Sequence, residues 1–204
     1  MSTWERMSKN SRRMVIVNTT IYMIRHAKSP FVLGQERTRE LSDQGIIDAK
    51  KVTAIMNNKE IDLIVSSPYI RAIQTIEEIA NNKNLDVKVY EELRERQLKG
   101  AYKLTEDEIQ QAIKTSYEDI DFHLTEGESI RDVQNRAIPV IKNLLNNYQG
   151  KTIIIGTHGN VMTIIMNYFK KEYGYEFWKN TSKPDIYKLV FSGENLLSVH
   201  RVWE

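Results

Sequence analysis

Short apolar runs alternate along the chain with stretches whose apolar residues recur every three or four positions. Residues 19–24 (TTIYMI), 61–66 (IDLIVS), 87–90 and 152–155 are brief and rich in β-branched side chains, which predicts buried strands. Between them, Ala49, Val52, Ile55 and Met56 keep helical spacing behind a capping Ser42. Pro68 suits the first turn of a helix running to about Ala80. Thr105 with Glu108 forms a capping box ahead of Ile109, Ala112 and Ile113. Ser129 opens a long stripe through Ile130, Val133, Ala137, Val140 and Leu144, with Pro139 inside it expected to cause a kink. Residues 161–169 read as another helix, and residues 186–191 and 196–203 as a hairpin turning at 192–195. Strands separated by helices predict an α/β fold: a three-layer sandwich with a mostly parallel central sheet, helices on both faces and an antiparallel edge strand.

Composition narrows this little. The 204 residues are 41% hydrophobic and 27% charged, the profile of a globular domain. No internal repeat or linker divides the chain, so residues 19–204 are expected to form a single domain. Cys is absent, which excludes disulfides and thiolate chemistry. No apolar run approaches the roughly 20 residues a membrane span needs, and no signal-peptide pattern is read at the start; the expectation is a cytoplasmic protein. Four basic residues against Glu5 make the first 13 residues basic, while the rest holds 25 basic against 26 acidic residues. Residues 1–18 are expected to be a flexible basic extension, with Met14 an alternative start. A nucleic-acid partner is not expected.

The chemistry gathers at strand ends, where ligands bind in such sheets. Arg25-His26 ends the first strand, Ser66-Ser67-Pro68-Tyr69-Ile70-Arg71 the second, and Thr157-His158-Gly159-Asn160 the fourth. Guanidinium forks bind phosphate oxygens bidentately, helix N-termini add N–H donors, and imidazole can attack phosphorus. Two His and a carboxylate could instead hold zinc, but neighbouring Arg cations repel a metal and favour an anion, so no metal or cofactor is expected. Taken singly, each residue also has a structural explanation, such as a surface ion pair or a locally bonded histidine.

These segments resemble the histidine phosphatase superfamily, the phosphoglycerate mutase-like proteins. Arg25-His26-Ala27 is similar to the family's RHG, with Ala for Gly. SSPYIRAIQT (66–75), Leu93-Arg94-Glu95, Gly127-Glu128-Ser129 with Arg136, and Thr157-His158-Gly159 follow in family order. The resemblance implies His26 as a nucleophile that becomes phosphohistidine, with Arg25, Arg71 and His158 gripping the phosphoryl oxygens. Glu95 would protonate the leaving alcohol and then activate water, with Glu92 the rival. Ser29 and Arg39 lie where further substrate contacts are expected. Residues 96–100 depart from the family's commoner His-Leu-Gly sequel. Glu128 and Ser129 are expected to satisfy the first-turn N–H groups of the helix they open. Residues 28–37 lack the mutases' Asn-Arg-Phe-x-Gly-Trp stretch. The expectation is therefore a phosphatase acting on a small phosphorylated substrate, which could include a phosphoprotein. A phosphoglycerate mutase and a non-catalytic phosphate- or partner-binding module are the alternatives. The acidic segment 104–128 is read as a cover over the site that is either simply solvated or repels polyanions.

Overall fold

A computed structural model describes residues 17–32 and 34–204. All but the last two residues of the basic extension lie outside them.

Six strands form one sheet: β1 (Asn18–Arg25), β2 (Leu63–Ser66), β3 (Val87–Val89), β4 (Thr152–Thr157), β5 (Asp185–Ser192) and β6 (Asn195–Arg201). Their order is β3-β2-β4-β1-β5-β6. The first four are parallel, and β5 joins β1 antiparallel and carries β6 in the expected hairpin.

Alternation along each strand divides the core. Ile21, Met23, Val65, Ile153 and Ile155 point to one face, under α4 (Ile130–Asn147) and α5 (Gly159–Phe169). Tyr22, Ile24, Ile64 and Ile154 point to the other, under α1 (Asp43–Met56) and α2 (Ile70–Lys83). This is the period-2 geometry of a pleated strand buried on both sides, the three-layer arrangement expected.

The predicted caps form. Ser42 accepts from Gly45 N, and Thr105 and Ser129 each close a capping box, on α3 (Glu106–Glu118) and α4; each such cap contributes about 1 kcal/mol. Helix α4 runs as one element through Pro139. Several boundaries differ from expectation, three of them with a local cause. Pro68 lies ahead of α2 rather than in its first turn, because Ser67 Oγ takes the Tyr69 N–H and turns the chain first. The same helix runs on to Lys83 and ends at Asn84, whose φ of 52° is the left-handed cap conformation. Residues 61–62 stay out of β2, because the Asp62 carboxylate accepts from Thr152 N and pairs with Lys151 at the start of β4. A 3-10 turn (Glu91–Leu93) and the short α6 (Tyr175–Lys179) carry no periodic signal long enough to read. Among the described residues, no helix is long and apolar enough to cross a membrane.

Candidate active site

Sheet register gathers the motif residues. Arg25 pairs with Thr157 across the parallel β1–β4 ladder, and Ser66 with Gly156 across β2–β4. The ladders continue one residue further, through His26 N to Thr157 O at 2.9 Å and Ser67 N to Gly156 O at 3.0 Å. His26 and His158 therefore leave adjacent strand ends together. Their ring centroids are 5.2 Å apart, edge to face.

His26 is 4% exposed. Its Nδ1 is 2.7 Å from the Ala27 carbonyl oxygen, which can only accept, so the proton sits on Nδ1. Nε2 keeps its lone pair and accepts from Arg71 Nε at 3.2 Å. Burial first, then the Arg71 cation, hold the imidazole well below its usual pKa, so it is neutral at pH 7. His158 is fully buried and shares a 2.6 Å hydrogen bond between Nε2 and Ser67 Oγ. Burial, then His26 and Arg71, keep it neutral as well. Its Nδ1 is buried without a partner among the described residues. Tyr69 packs edge-on against His158 and beneath the Arg71 guanidinium.

The cations are held just as firmly. Arg71, 1% exposed, is drawn down to about 10 by burial and then by Arg39, and so stays charged. Arg25 Nη1 donates to the carbonyl and hydroxyl of Thr181, while its Nε is buried with no partner among the described residues. Its guanidinium lies against Gly159: a Cβ there would sit 2.8 Å from Arg25 Cζ. That close approach explains glycine after His158. Arg39 Nη1 donates to the Ser29 hydroxyl at 2.8 Å, and that hydroxyl donates to Glu40 O. Ser29 thus orients Arg39. Arg39 helps to depress both histidines, so its charge is felt at the pocket.

Glu95 shows what the sequence pattern could not. Its carboxylate accepts from Asn160 N at 3.3 Å and Val161 N at 3.1 Å, besides Arg96 N at 2.8 Å. Two N–H groups at the start of α5, expected to favour a phosphate, are thus taken by Glu95, which anchors it beside His158. The rival Glu92 instead offers its backbone carbonyl to Arg136.

Glu128 corrects a second expectation. Ser129 caps α4 as predicted, but with Asp132 as its partner. The Glu128 carboxylate instead binds Arg94 and Arg136 and accepts from Gln97 N. Arg136 also donates to the carbonyls of Glu92, Arg94 and, at 3.5 Å, Glu95. The pair therefore grips the backbone that carries Glu95. Arg136→Ala should lower turnover about 10- to 100-fold with little change in KM, since a small misplacement of a reacting group costs that much; steady-state kinetics checks it. Arg96, in the divergent 96–100 segment, is buried and donates to Glu128 O and Ser116 Oγ, so this departure is tied into the same framework.

Two site neighbours went unread in the sequence. Lys183 is exposed, and partial desolvation followed by the charges of Arg25 and Arg39 lowers its ammonium below the usual lysine value. Glu36 places its carboxylate 3.2 Å from Arg39 Nε and 3.4 Å from Arg71 Nη2. Neither lies in a motif or on a periodic element. Beyond them opens a cavity of about 670 Å³, within the range of small-molecule sites. Its wall includes the apolar Phe31, Tyr69, Leu98, Ala101 and Ile109 and the charged Glu36, Glu95, Lys99 and Glu126. Ile109 and Glu126 come from the acidic 104–128 segment, which thus forms part of that wall.

An α/β sheet that delivers two neutral imidazoles and several guanidinium groups to one edge is a site of the class that accommodates phosphoryl groups. The chain belongs to the histidine phosphatase superfamily (branch 1), whose family model matches residues 21–200. Several solved structures share the fold. Mycobacterial glucosyl-3-phosphoglycerate phosphatase superposes with a TM-score of 0.72 at 22% identity, covering 90% of this chain and 97% of that one. Bacillus stearothermophilus YhfR gives 0.71 at 23%, covering 88% and 94%. Entamoeba histolytica phosphoserine phosphatase, solved in complex with 3-phosphoglyceric acid, gives 0.72 at 21%, covering 89% and 96%. Among curated proteins, none matches this sequence.

Proposed function

We propose that this protein hydrolyses phosphomonoesters through a phosphohistidine formed on His26. One observation carries the reading: Ala27 O fixes the His26 proton on Nδ1, leaving the Nε2 lone pair beside Arg71. Nε2 attacks phosphorus, the bond to the alcohol oxygen breaks, and Glu95 supplies the proton that the departing alkoxide needs. Water, deprotonated by Glu95, then attacks the same phosphorus and breaks the P–N bond. Inorganic phosphate leaves and the neutral imidazole returns. Arg25, Arg71 and His158 face the equatorial oxygens, where positioned donors supply most of the catalysis. The buried, unpartnered Arg25 Nε and His158 Nδ1 support that role. Arg39, oriented by Ser29, adds positive charge at the rim. Family membership and a fold shared with proteins named as phosphatases support a small phosphorylated substrate.

Glu95→Gln tests the proton-transfer role. Phosphoenzyme formation, read by rapid quench, should slow about 10²- to 10⁴-fold with an alkyl phosphate, the typical worth of a positioned acid, and far less with an aryl phosphate whose leaving group needs no proton, while release of phosphate by water should slow alike for both. Equal losses with both substrates in phosphoenzyme formation would remove Glu95 from the acid role, and unchanged phosphate release would remove it from the base role.

A further inference from the structure

The phosphate-gripping cations already hold an anion of the chain's own. Arg71 turns its Nε to His26, but both terminal nitrogens turn to Glu36: Nη1 to the backbone carbonyl and Nη2 to the carboxylate at 3.4 Å. The same carboxylate oxygen lies 3.2 Å from Arg39 Nε. A carboxylate oxygen between two guanidinium groups makes the contacts a phosphoryl oxygen would make there.

The backbone beneath Glu36 is anchored independently of this carboxylate. The Arg37 carbonyl accepts from Ile70 N at 3.0 Å, at the start of the helix that carries Arg71. The Arg37 side chain forms a two-pronged pair with Glu91 at 2.9 and 2.6 Å. The Glu36 side chain is 45% exposed and lines the cavity, so it can turn without the backbone moving. A single rotamer change therefore frees Arg71 Nη2 and Arg39 Nε, while Arg71 Nη1 keeps the Glu36 carbonyl, and no loop has to open.

We propose that Glu36 is a resident competitor of the substrate phosphoryl group, occupying Arg71 and Arg39 and swinging aside when substrate binds. The inference rests on the phosphoryl-binding reading of this pocket. It assigns Glu36 a selective role. An incoming phosphomonoester displaces one carboxylate, and substrates bearing a second anionic group near the ester meet that displaced charge at close range. Esters whose neighbouring groups are neutral or hydroxylated are favoured.

Glu36→Gln tests this, with inorganic phosphate as probe in direct calorimetric titration and as inhibitor of aryl phosphate hydrolysis. An exposed ion pair is worth little, so the expected change is modest: phosphate binds about two- to five-fold tighter and KM falls by a similar factor. The gain should shrink as salt rises, because screening weakens the competitor. Glu36→Ala should give the same direction. Unchanged or weaker phosphate binding overturns the proposal, as does binding by neither protein. A collapse of kcat in both variants also overturns it, since Glu36 would then be moving a proton. Tightened phosphate binding in a protein that turns over no ester leaves the competitor standing and removes the hydrolase reading instead.

Discussion

His26→Ala should leave an aryl phosphate essentially unhydrolysed, with the rate down by about four orders of magnitude or more, as for enzymes stripped of their nucleophile. The size of the loss follows from the geometry. Arg25, Arg71 and His158 would still surround the ester, but no lone pair would face phosphorus. Water entering in place of the ring has neither the ring's fixed aim nor its tautomer lock from Ala27 O. Excess chelator should leave the wild-type rate unchanged. Rapid quenching of wild type with a labelled phosphodonor should trap an acid-labile label, and the variant should trap none. Chelator sensitivity restored by zinc would overturn the mechanism. Interconversion of phosphoglycerate isomers without release of free phosphate would turn the assignment towards a mutase.

The same two rings should make folding stability depend steeply on pH. His26 and His158 are both held neutral in the folded protein, chiefly by burial. In the unfolded chain each takes up a proton near pH 6.5. Below that pH the unfolded state binds more protons than the folded one, so unfolding becomes easier as pH falls. The contribution is complete above about 6.5 and drains away towards the depressed folded values, at up to about 1.4 kcal/mol per histidine for each pH unit. Urea unfolding should therefore show stability falling as pH drops from 7 to 5. Several carboxylates are also shifted, Asp62 and Glu128 among them, but downward, so their contribution is lost only nearer pH 4 and below. His26→Gln should make the profile shallower between pH 7 and pH 5. A flat wild-type profile there would mean that the folded protein takes up protons as readily as the unfolded chain, so the rings are not held neutral.

Much of this was legible because it is local or repeats along the chain. The β-branched runs of β1 and β4 predict strands buried on both faces, and parallel pairing then brings residues 25 and 157 level. The five motifs follow family order, and the capping box at Thr105 and the helix start at Ser129 are readable within a few residues. What escaped the reading is long-range and electrostatic. Glu128 looked like a helix-start residue because Ser129 follows it, yet its partners Arg94 and Arg136 lie 34 and 8 positions away. Glu95 was legible as a candidate acid, with Glu92 its rival, but the N–H groups that hold its carboxylate belong to a helix 65 residues further on. Glu36 lies in the stretch between β1 and α1, where no periodicity narrows what a carboxylate faces.

The cavity has a consequence for which esters the site can take. The two imidazoles and the Arg25 and Arg71 forks arise at ends of core strands or in the first turn of a packed helix, where displacement would disturb the buried interior. Phe31, Leu98 and Ala101 sit on connecting segments outside the ladders, and Ile109 lies on a peripheral helix. Substitutions in this lining can therefore reshape which ester fits without touching the ladders that hold the two imidazoles together.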